Sequence, residues 1–376
     1  MVKYLELILI SLIWVSIGTA QTYIDSPYLQ DYADKYELDA EASENEVFQL
    51  RSDRNGVINV LSTKGLLQPW DKKLVKDLRH RPLTDARIIA IETYEDQFVY
   101  LTDKAVLSNA WAGKFYLEHG MEEAQRFALG HDFAVLLASN DQLALFQGKK
   151  KVWEESILDL NPLKLIFDKN QQRFLILSEN ALYSLNYASQ KLSKVYSGEQ
   201  LSAMALSNNK IVLGTKNGIF ELDAQSYQAT PLNQKLPHTE ISCIAEIKGR
   251  LWFGSTYGAF ALREDGKYDY YASERWLLDN KVIDIAPGPE NSVLLLSQKG
   301  LSKINFVEMT LAAKAEYFQK IQRLRHIRYG FTSKLELRKK GDLSTGILQD
   351  TDNDGLWTSM YLAGELFRYA ATKSED

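Results

Sequence analysis

The sequence predicts an all-β chain folded as a seven-bladed β-propeller, followed by a small α+β extension. Three observations carry this reading. One phrase recurs along the chain: an apolar run, a small hydroxyl residue, two variable residues, glycine, and a second apolar run. Its period is close to 40 residues. Each period holds up to four short apolar segments separated by turn residues, and four antiparallel strands in about 40 residues make a propeller blade. A lone four-stranded sheet leaves both faces uncovered, whereas radial stacking buries each sheet against the next. Six or eight blades are the alternatives in count. A non-closing β-solenoid is the alternative in architecture, although parallel β-helix repeats are usually shorter.

The phrase is clearest in Val212-Leu-Gly-Thr-Lys-Asn-Gly-Ile-Phe-Glu-Leu222, Trp252-Phe-Gly-Ser-Thr-Tyr-Gly-Ala-Phe-Ala-Leu262 and Leu294-Leu-Leu-Ser-Gln-Lys-Gly-Leu-Ser-Lys-Ile304. It recurs in Val60-Leu-Ser-Thr-Lys-Gly-Leu-Leu67. Three further copies carry Ala or Gln at the glycine position. The hydroxyl residues are Ser62, Thr102, Ser139, Ser178, Thr215, Ser255 and Ser297, at intervals of 40, 37, 39, 37, 40 and 42. Within each repeat a first strand, such as 88–91, 203–206 or 282–285, leads through a polar turn to the strand that ends at the hydroxyl. The Asn-Gly or Lys-Gly turn then opens a third strand, because glycine tolerates positive φ. A weaker fourth strand follows, as in residues 191–196 and 266–271. The propeller is assigned to residues 47–307.

Residues 1–20 read as a signal peptide. Lys3 is followed by an apolar run from Leu7 to Gly18, and Gly18-Thr19-Ala20 offers small residues before Gln21. Twelve apolar residues are too few to span a bilayer, which takes about 20. A periplasmic or extracellular location is therefore expected, with no membrane span once the signal is removed. Residues 21–46 are acidic and Tyr-rich and read as a solvated lead-in, with a closing strand as the alternative role.

After residue 307 the pattern changes. Leu311, Ala315, Phe318, Ile321 and Leu324 share one face of a helix running to Arg328 and stopped by Gly330. A hairpin around Lys340-Gly341 follows. A second helix begins near Asp354, its expected N-cap, with Leu356, Met360, Ala363, Phe367 and Ala370 on one face. A helix with a wide apolar face needs something to pack on. Either it docks on the propeller or the natural protein continues, and residues 308–376 are expected to be the start of a larger C-terminal domain.

Composition narrows the function classes. A formal net charge of −5 argues against nucleic acid as a partner, since phosphate binding needs a basic footprint. The single Cys243 excludes an intramolecular disulfide and a multi-cysteine zinc site. It stands in an apolar run and reads as a buried small hydrophobe. No phosphate-binding loop, nucleophile elbow, HExxH or dinucleotide fingerprint is present.

The candidate site residues are few. Asp350, Asp352 and Asp354, followed by Gly355, match the first half of a calcium loop. Tyr361 stands where that loop needs Glu, so calcium is the one cofactor considered, against a plain polar turn. His326, Arg328 and Tyr329 form the densest group of potential acid–base side chains. Trp111, Trp252 and Trp276 are candidates for a ligand-stacking surface, with blade core as the competing role.

With these motifs laid out, Leu213-Gly-Thr-Lys-Asn-Gly218 and Leu251-Trp-Phe-Gly-Ser-Thr-Tyr-Gly258 resemble the repeats of two-component regulator propellers, which form periplasmic sensor domains. The resemblance covers about residues 50–305 and is strongest in these two repeats. It implies a sensor-like module. Arg325-His-Ile-Arg-Tyr-Gly330, Gly341-Asp-Leu-Ser344 and Asp352-Asn-Asp-Gly-Leu-Trp-Thr358 resemble a segment that leads into a helical domain in longer secreted propeller proteins. The expected function is a secreted or periplasmic propeller that binds a carbohydrate or protein ligand without chemistry of its own. The alternative is the N-terminal part of a carbohydrate-active enzyme whose helical catalytic domain begins near residue 330.

Overall fold

The computed structural model describes residues 24–38, 45–77, 87–110, 115–339 and 342–374. The expected signal peptide (1–20), Trp111 and the Lys340-Gly341 turn lie outside these residues. The chain forms two compact units, one of residues 31–306 and one combining residues up to Gln30 with those from Val307 onward.

The first unit is a β-propeller. Five separate antiparallel sheets follow one another, spanning residues 88–118, 126–156, 164–197, 201–223 and 241–271. Each runs in sequence order from an inner strand outward. The inner strands are Ile88–Tyr94, Arg126–Leu129, Lys164–Asp168, Leu201–Ser207 and Ile241–Ile247. The remaining strands of this unit form one continuous eight-stranded sheet. Its order is Val47–Ser52, Ile58–Ser62, Gly65–Trp70, Lys73–Lys76, Tyr28–Leu38, Gly300–Met309, Val293–Ser297, Val282–Pro287. Both ends of that sheet are inner strands. Val282–Pro287 lies against Val47–Ser52, so the row of inner strands returns to its start. The sheet of residues 201–223 has three strands. Bridges from Ile219 to Asn233 and from Leu222 to Ala229 stand where a fourth would be.

The apolar cores sit between consecutive sheets. Val99, Leu101, Val135 and Leu137 meet between the sheets of 88–118 and 126–156. Val60, Leu67, Leu294 and Leu296 meet between the two halves of the eight-stranded sheet. Strands covered on both faces explain continuous apolar runs such as Phe174-Leu-Ile-Leu177, in which every residue is fully buried.

The repeated hydroxyl has a structural cause. Oγ of Ser62, Oγ1 of Thr102, Oγ of Ser178, Oγ1 of Thr215, Oγ of Ser255 and Oγ of Ser297 each donate to the carbonyl three residues on, at 2.6–3.2 Å. The side chain thus closes the turn between the second and third strands. Ser139 departs from this. Its Oγ donates to Asp141 Oδ1 at 3.0 Å and accepts from Gln142 N at 3.1 Å. In three repeats the turn before the second strand is tight too, with two residues between Tyr94 and Gln97, Ser207 and Lys210, and Ile247 and Arg250. Asn208-Asn209 (φ +47° and +60°) and Glu95-Asp96 (φ +48° and +56°) place both central residues in the left-handed region, as a two-residue hairpin turn matched to strand twist requires.

The acidic lead-in is corrected in part. Tyr28–Leu38 is a strand rather than solvated chain. Ala33, Tyr36 and Leu38 pack on propeller cores, while Asp34 and Glu37 take exposed positions between them. Glu37 and Leu38 pair in parallel with Lys73 and Leu74.

The second unit begins with helix Leu311–Arg325, where Thr310 Oγ1 accepts from Ala313 N at 3.2 Å. The helix stops three residues before the expected Arg328, because Ile327–Arg328 pairs with Phe331–Thr332 across a turn at Tyr329-Gly330. Lys334–Leu337 pairs with Gly346–Gln349 as a hairpin. Helix Asp354–Thr372 follows. Asp354 is its first residue rather than its N-cap, and its carboxylate accepts from Ser333 Oγ at 2.8 Å and Thr351 Oγ1 at 2.9 Å. Neither helix buries a residue.

Candidate functional site: a charged cavity at the inner strands

Five inner strands share one irregularity. Their pairing with the second strand skips a single residue: Phe48, Ile89, Ser202, Ser242 and Ile283. In every case the residue before the gap pairs with the repeat's hydroxyl residue: Val47 with Ser62, Ile88 with Thr102, Leu201 with Thr215, Ile241 with Ser255, Val282 with Ser297. A bulge bends its strand and re-aims the side chain at that point. All five skipped residues line one cavity of about 230 Å³, together with Arg51, Glu92 and Asp284 from the same strands and Arg126 and Lys164 from the other two inner strands.

Arg51 organises the charges. Its Nε and Nη2 donate to the two carboxylate oxygens of Glu92 at 2.9 and 2.8 Å, a bidentate pair. Its Nη1 donates to Asp284 Oδ2 at 2.8 Å and to the Leu50 carbonyl at 2.6 Å. Burial alone would lower the Arg51 guanidinium, but Glu92 and Asp284 outweigh it and hold the group above its ordinary value. Gln49 braces the pair. Its Nε2 donates to Glu92 Oε1 at 3.0 Å and to the Ile91 carbonyl at 2.7 Å, and its Oε1 accepts from Ile91 N at 2.9 Å.

Two further cations line the cavity and form no ion pair among the described residues. Lys164 Nζ donates to the Ile244 carbonyl at 3.1 Å. Arg126 is reached by solvent, and its Nε and Nη1 donate to the Leu163 and Gln125 carbonyls at 3.2 and 3.0 Å. Desolvation lowers both groups from their ordinary values, and the positive Arg51 adds to the effect, partly offset by Glu92 and Asp284. Ser202 Oγ is buried with no hydrogen-bond partner among the described residues. Ser242 Oγ donates to the Val282 carbonyl at 2.6 Å. Cys243 is half-buried at the cavity wall rather than fully buried. Burial, with Asp284 nearby, pushes its thiol up to about 12, which leaves it a poor nucleophile. The lining contains no histidine.

The residues expected from sequence lie elsewhere. Trp252 is 2% exposed, stacked on Tyr271 at 5.4 Å with Arg250 over its ring, so it has no free face for a ligand. Trp276 is half-buried and meets the edge of Tyr271 at 5.1 Å. Both serve the core between sheets. In the second unit, Arg328 draws the acidic residues toward itself, with Nη2 3.3 Å from Asp350 and Nη1 3.9 Å from Asp354. Asp352 is exposed. Among the described residues no three His, Cys, Asp or Glu side chains come together as a metal site, so the calcium-loop pattern does not converge. His326 Nδ1 lies 3.3 Å from the Ser333 carbonyl, and Tyr329 is 90% exposed with Arg328 over its ring. The His326, Arg328 and Tyr329 side chains share no hydrogen bond among the described residues.

No helix among the described residues is long and apolar enough to cross a membrane. No protein-family model matches the chain. No curated protein matches it. Solved structures do resemble it. One is the extracellular domain, from B. thetaiotaomicron, of a protein described as a hybrid two-component system. It aligns with TM-score 0.57 and 17% identity over 73% of this chain, which spans only 39% of that one. Virginiamycin B lyase from Staphylococcus aureus aligns with TM-score 0.56 and 11% identity over 75% of this chain and 100% of its own. The WD40 domain of Neurospora crassa Pan2 aligns with TM-score 0.53 and 12% identity over 71% and 90%. Proteins of such different kinds have the architecture in common, and the likeness shows that this chain is a β-propeller.

Proposed function

We propose that the chain is a secreted or periplasmic, sensor-like ligand-binding module built on a seven-bladed propeller, without chemistry of its own. The eight-stranded sheet counts as two blades in this reading, residues 47–76 and residues 282–306, with strand Tyr28–Leu38 as the outer strand of the latter. Export is supported by the charged start, apolar run and small residues of positions 1–20. The B. thetaiotaomicron neighbour, an extracellular domain, is consistent with it. The observation that carries the binding reading is the cavity at the inner strands. Two cations stand there with no carboxylate partner among the described residues: Lys164, which is desolvated, and Arg126, which solvent reaches. A group kept charged in a poorly solvated place costs stability unless something pairs with it.

The test is native mass spectrometry of the chain purified from its exported fraction, followed by titration with the molecule released on denaturation. One small ligand per chain, rebinding saturably, is expected. Turnover of a polysaccharide by the purified chain, with no saturable ligand, would overturn the reading. The N-terminus of the exported chain, read from the same sample, should be Gln21.

A further inference from the structure

The cavity also carries information about which ligand fits. Its charged lining consists of Arg51, Arg126 and Lys164 against Glu92 and Asp284. Arg51 is committed to both carboxylates. The excess is therefore positive, and it resides on Arg126 and Lys164. Their unused donors are defined. Arg126 Nη2 makes no hydrogen bond among the described residues, and Lys164 Nζ uses one of its three protons, on the Ile244 carbonyl. Ser202, on the neighbouring inner strand, lines the same cavity with a hydroxyl that has no partner among the described residues. Donors without acceptors beside an uncompensated positive charge are what a carboxylate or similar oxyanion satisfies. The space is below the roughly 300 Å³ at which ordinary small-molecule pockets begin, and Phe48, Ile89, Phe127 and Ile283 supply apolar wall.

We propose that this cavity binds one small, singly charged oxyanion through Arg126, Lys164 and Ser202, the carboxylate of a short organic acid or a free inorganic oxyanion. This rests on the ligand-binding reading above and narrows it to an anion. One negative charge cancels the excess, and the three donors come from three successive inner strands, so binding ties those strands together.

The experiment is calorimetric titration and thermal unfolding of the full chain with three probes: butyrate, inorganic phosphate, and butyramide as the uncharged counterpart of butyrate. One anion per chain should bind and raise the unfolding temperature, and butyramide should do neither. Butyrate alone would identify an organic acid, phosphate alone an inorganic oxyanion. Lys164→Met and Arg126→Met should each weaken anion binding at least tenfold, and Lys164→Arg should retain most of it. Arg126→Met carries the test if Lys164→Met does not fold, since Arg126 is solvent-accessible. Unchanged affinity in Arg126→Met, or no response to either anion, would overturn the assignment. Butyramide binding without anion binding would remove the anion and leave a ligand-binding module. Silence to all three probes together with polysaccharide turnover would remove both.

Discussion

Arg51 and Asp284 lie 233 positions apart in the chain, and Arg51 Nη1 donates to Asp284 Oδ2 at 2.8 Å. The pair joins Val47–Ser52 to Val282–Pro287, the two ends of the eight-stranded sheet. The same Asp284 oxygen accepts from Leu50 N at 2.9 Å, so the clasp holds backbone as well as side chain. Glu92, from the next inner strand, takes the other edge of the guanidinium.

Removing Arg51 would strand two carboxylates in a poorly solvated place. Breaking such a cluster on one side costs about 3–5 kcal/mol, more than the intact cluster contributes over an apolar replacement. Arg51→Met should therefore lower the urea midpoint strongly without changing the slope of the transition. A loss below about 1 kcal/mol, the range of a surface ion pair, would show that the cluster is solvated in solution.

The hydroxyl that closes each hairpin makes a second prediction. Ser255 Oγ donates to the Gly258 carbonyl at 2.7 Å and accepts from Tyr257 N at 3.1 Å, and the residue is fully buried. Ser255→Ala leaves both backbone groups without that partner, at a cost of about 1–3 kcal/mol. Ser255→Thr should keep most of the stability, because Thr102 and Thr215 fill the same place in their repeats. Equal unfolding free energies for the Ala and Thr variants would refute the hairpin role.

The glycine before that serine is fixed by space. A Cβ on Gly254 would fall onto Cys243 Sγ and within 2.8 Å of Val282 Cγ1. Gly254→Ala should cost about 1–3 kcal/mol by overpacking. Gly364, inside helix Asp354–Thr372, meets nothing within 4 Å. Gly364→Ala should therefore gain roughly 0.5–1 kcal/mol through helix propensity. Thermal unfolding of the two variants would check the opposite signs.

Much of the fold was legible because each repeat carries its own turn chemistry. The hydroxyl, the two-residue turns and the apolar runs all act within about 40 residues. Strand Tyr28–Leu38 was harder to read, because it sits beside Gly300–Met309 and so depends on residues far away in sequence. Acidic residues at its exposed positions also masked the alternation. The cavity was present in the sequence but was not read there. One lining residue lies thirteen or fourteen positions before each hydroxyl: Phe48 before Ser62, Ile89 before Thr102, Arg126 before Ser139, Lys164 before Ser178, Ser202 before Thr215, Ser242 before Ser255, Ile283 before Ser297. Arginine, lysine and serine at this one position, each followed by an apolar strand residue, were the signal. The tryptophans drew attention instead, and Trp252 proved to be core, because the second strand is covered on both faces.

Lys164 makes the last prediction, in the pH dependence of stability. Desolvation is the main cause that lowers its ammonium below the ordinary 10.5. The folded chain therefore releases this proton at a lower pH than the unfolded chain. Between the lowered folded value and 10.5 the unfolded state binds more protons, so this group makes stability rise with pH across that window. Below the window both states are protonated, and the folded state carries the full cost of the desolvated charge. Tyrosines titrate in the same range, so the useful quantity is the difference between the parent chain and Lys164→Met. Urea unfolding at pH 7, 8, 9 and 10 should show the parent gaining on the variant as pH rises. A difference that stays flat to pH 10 would mean that Lys164 is as well solvated folded as unfolded. An anion bound beside Lys164 should flatten the curve as well, because it raises the lysine back toward its ordinary value, and binding above neutral pH should then take up a proton.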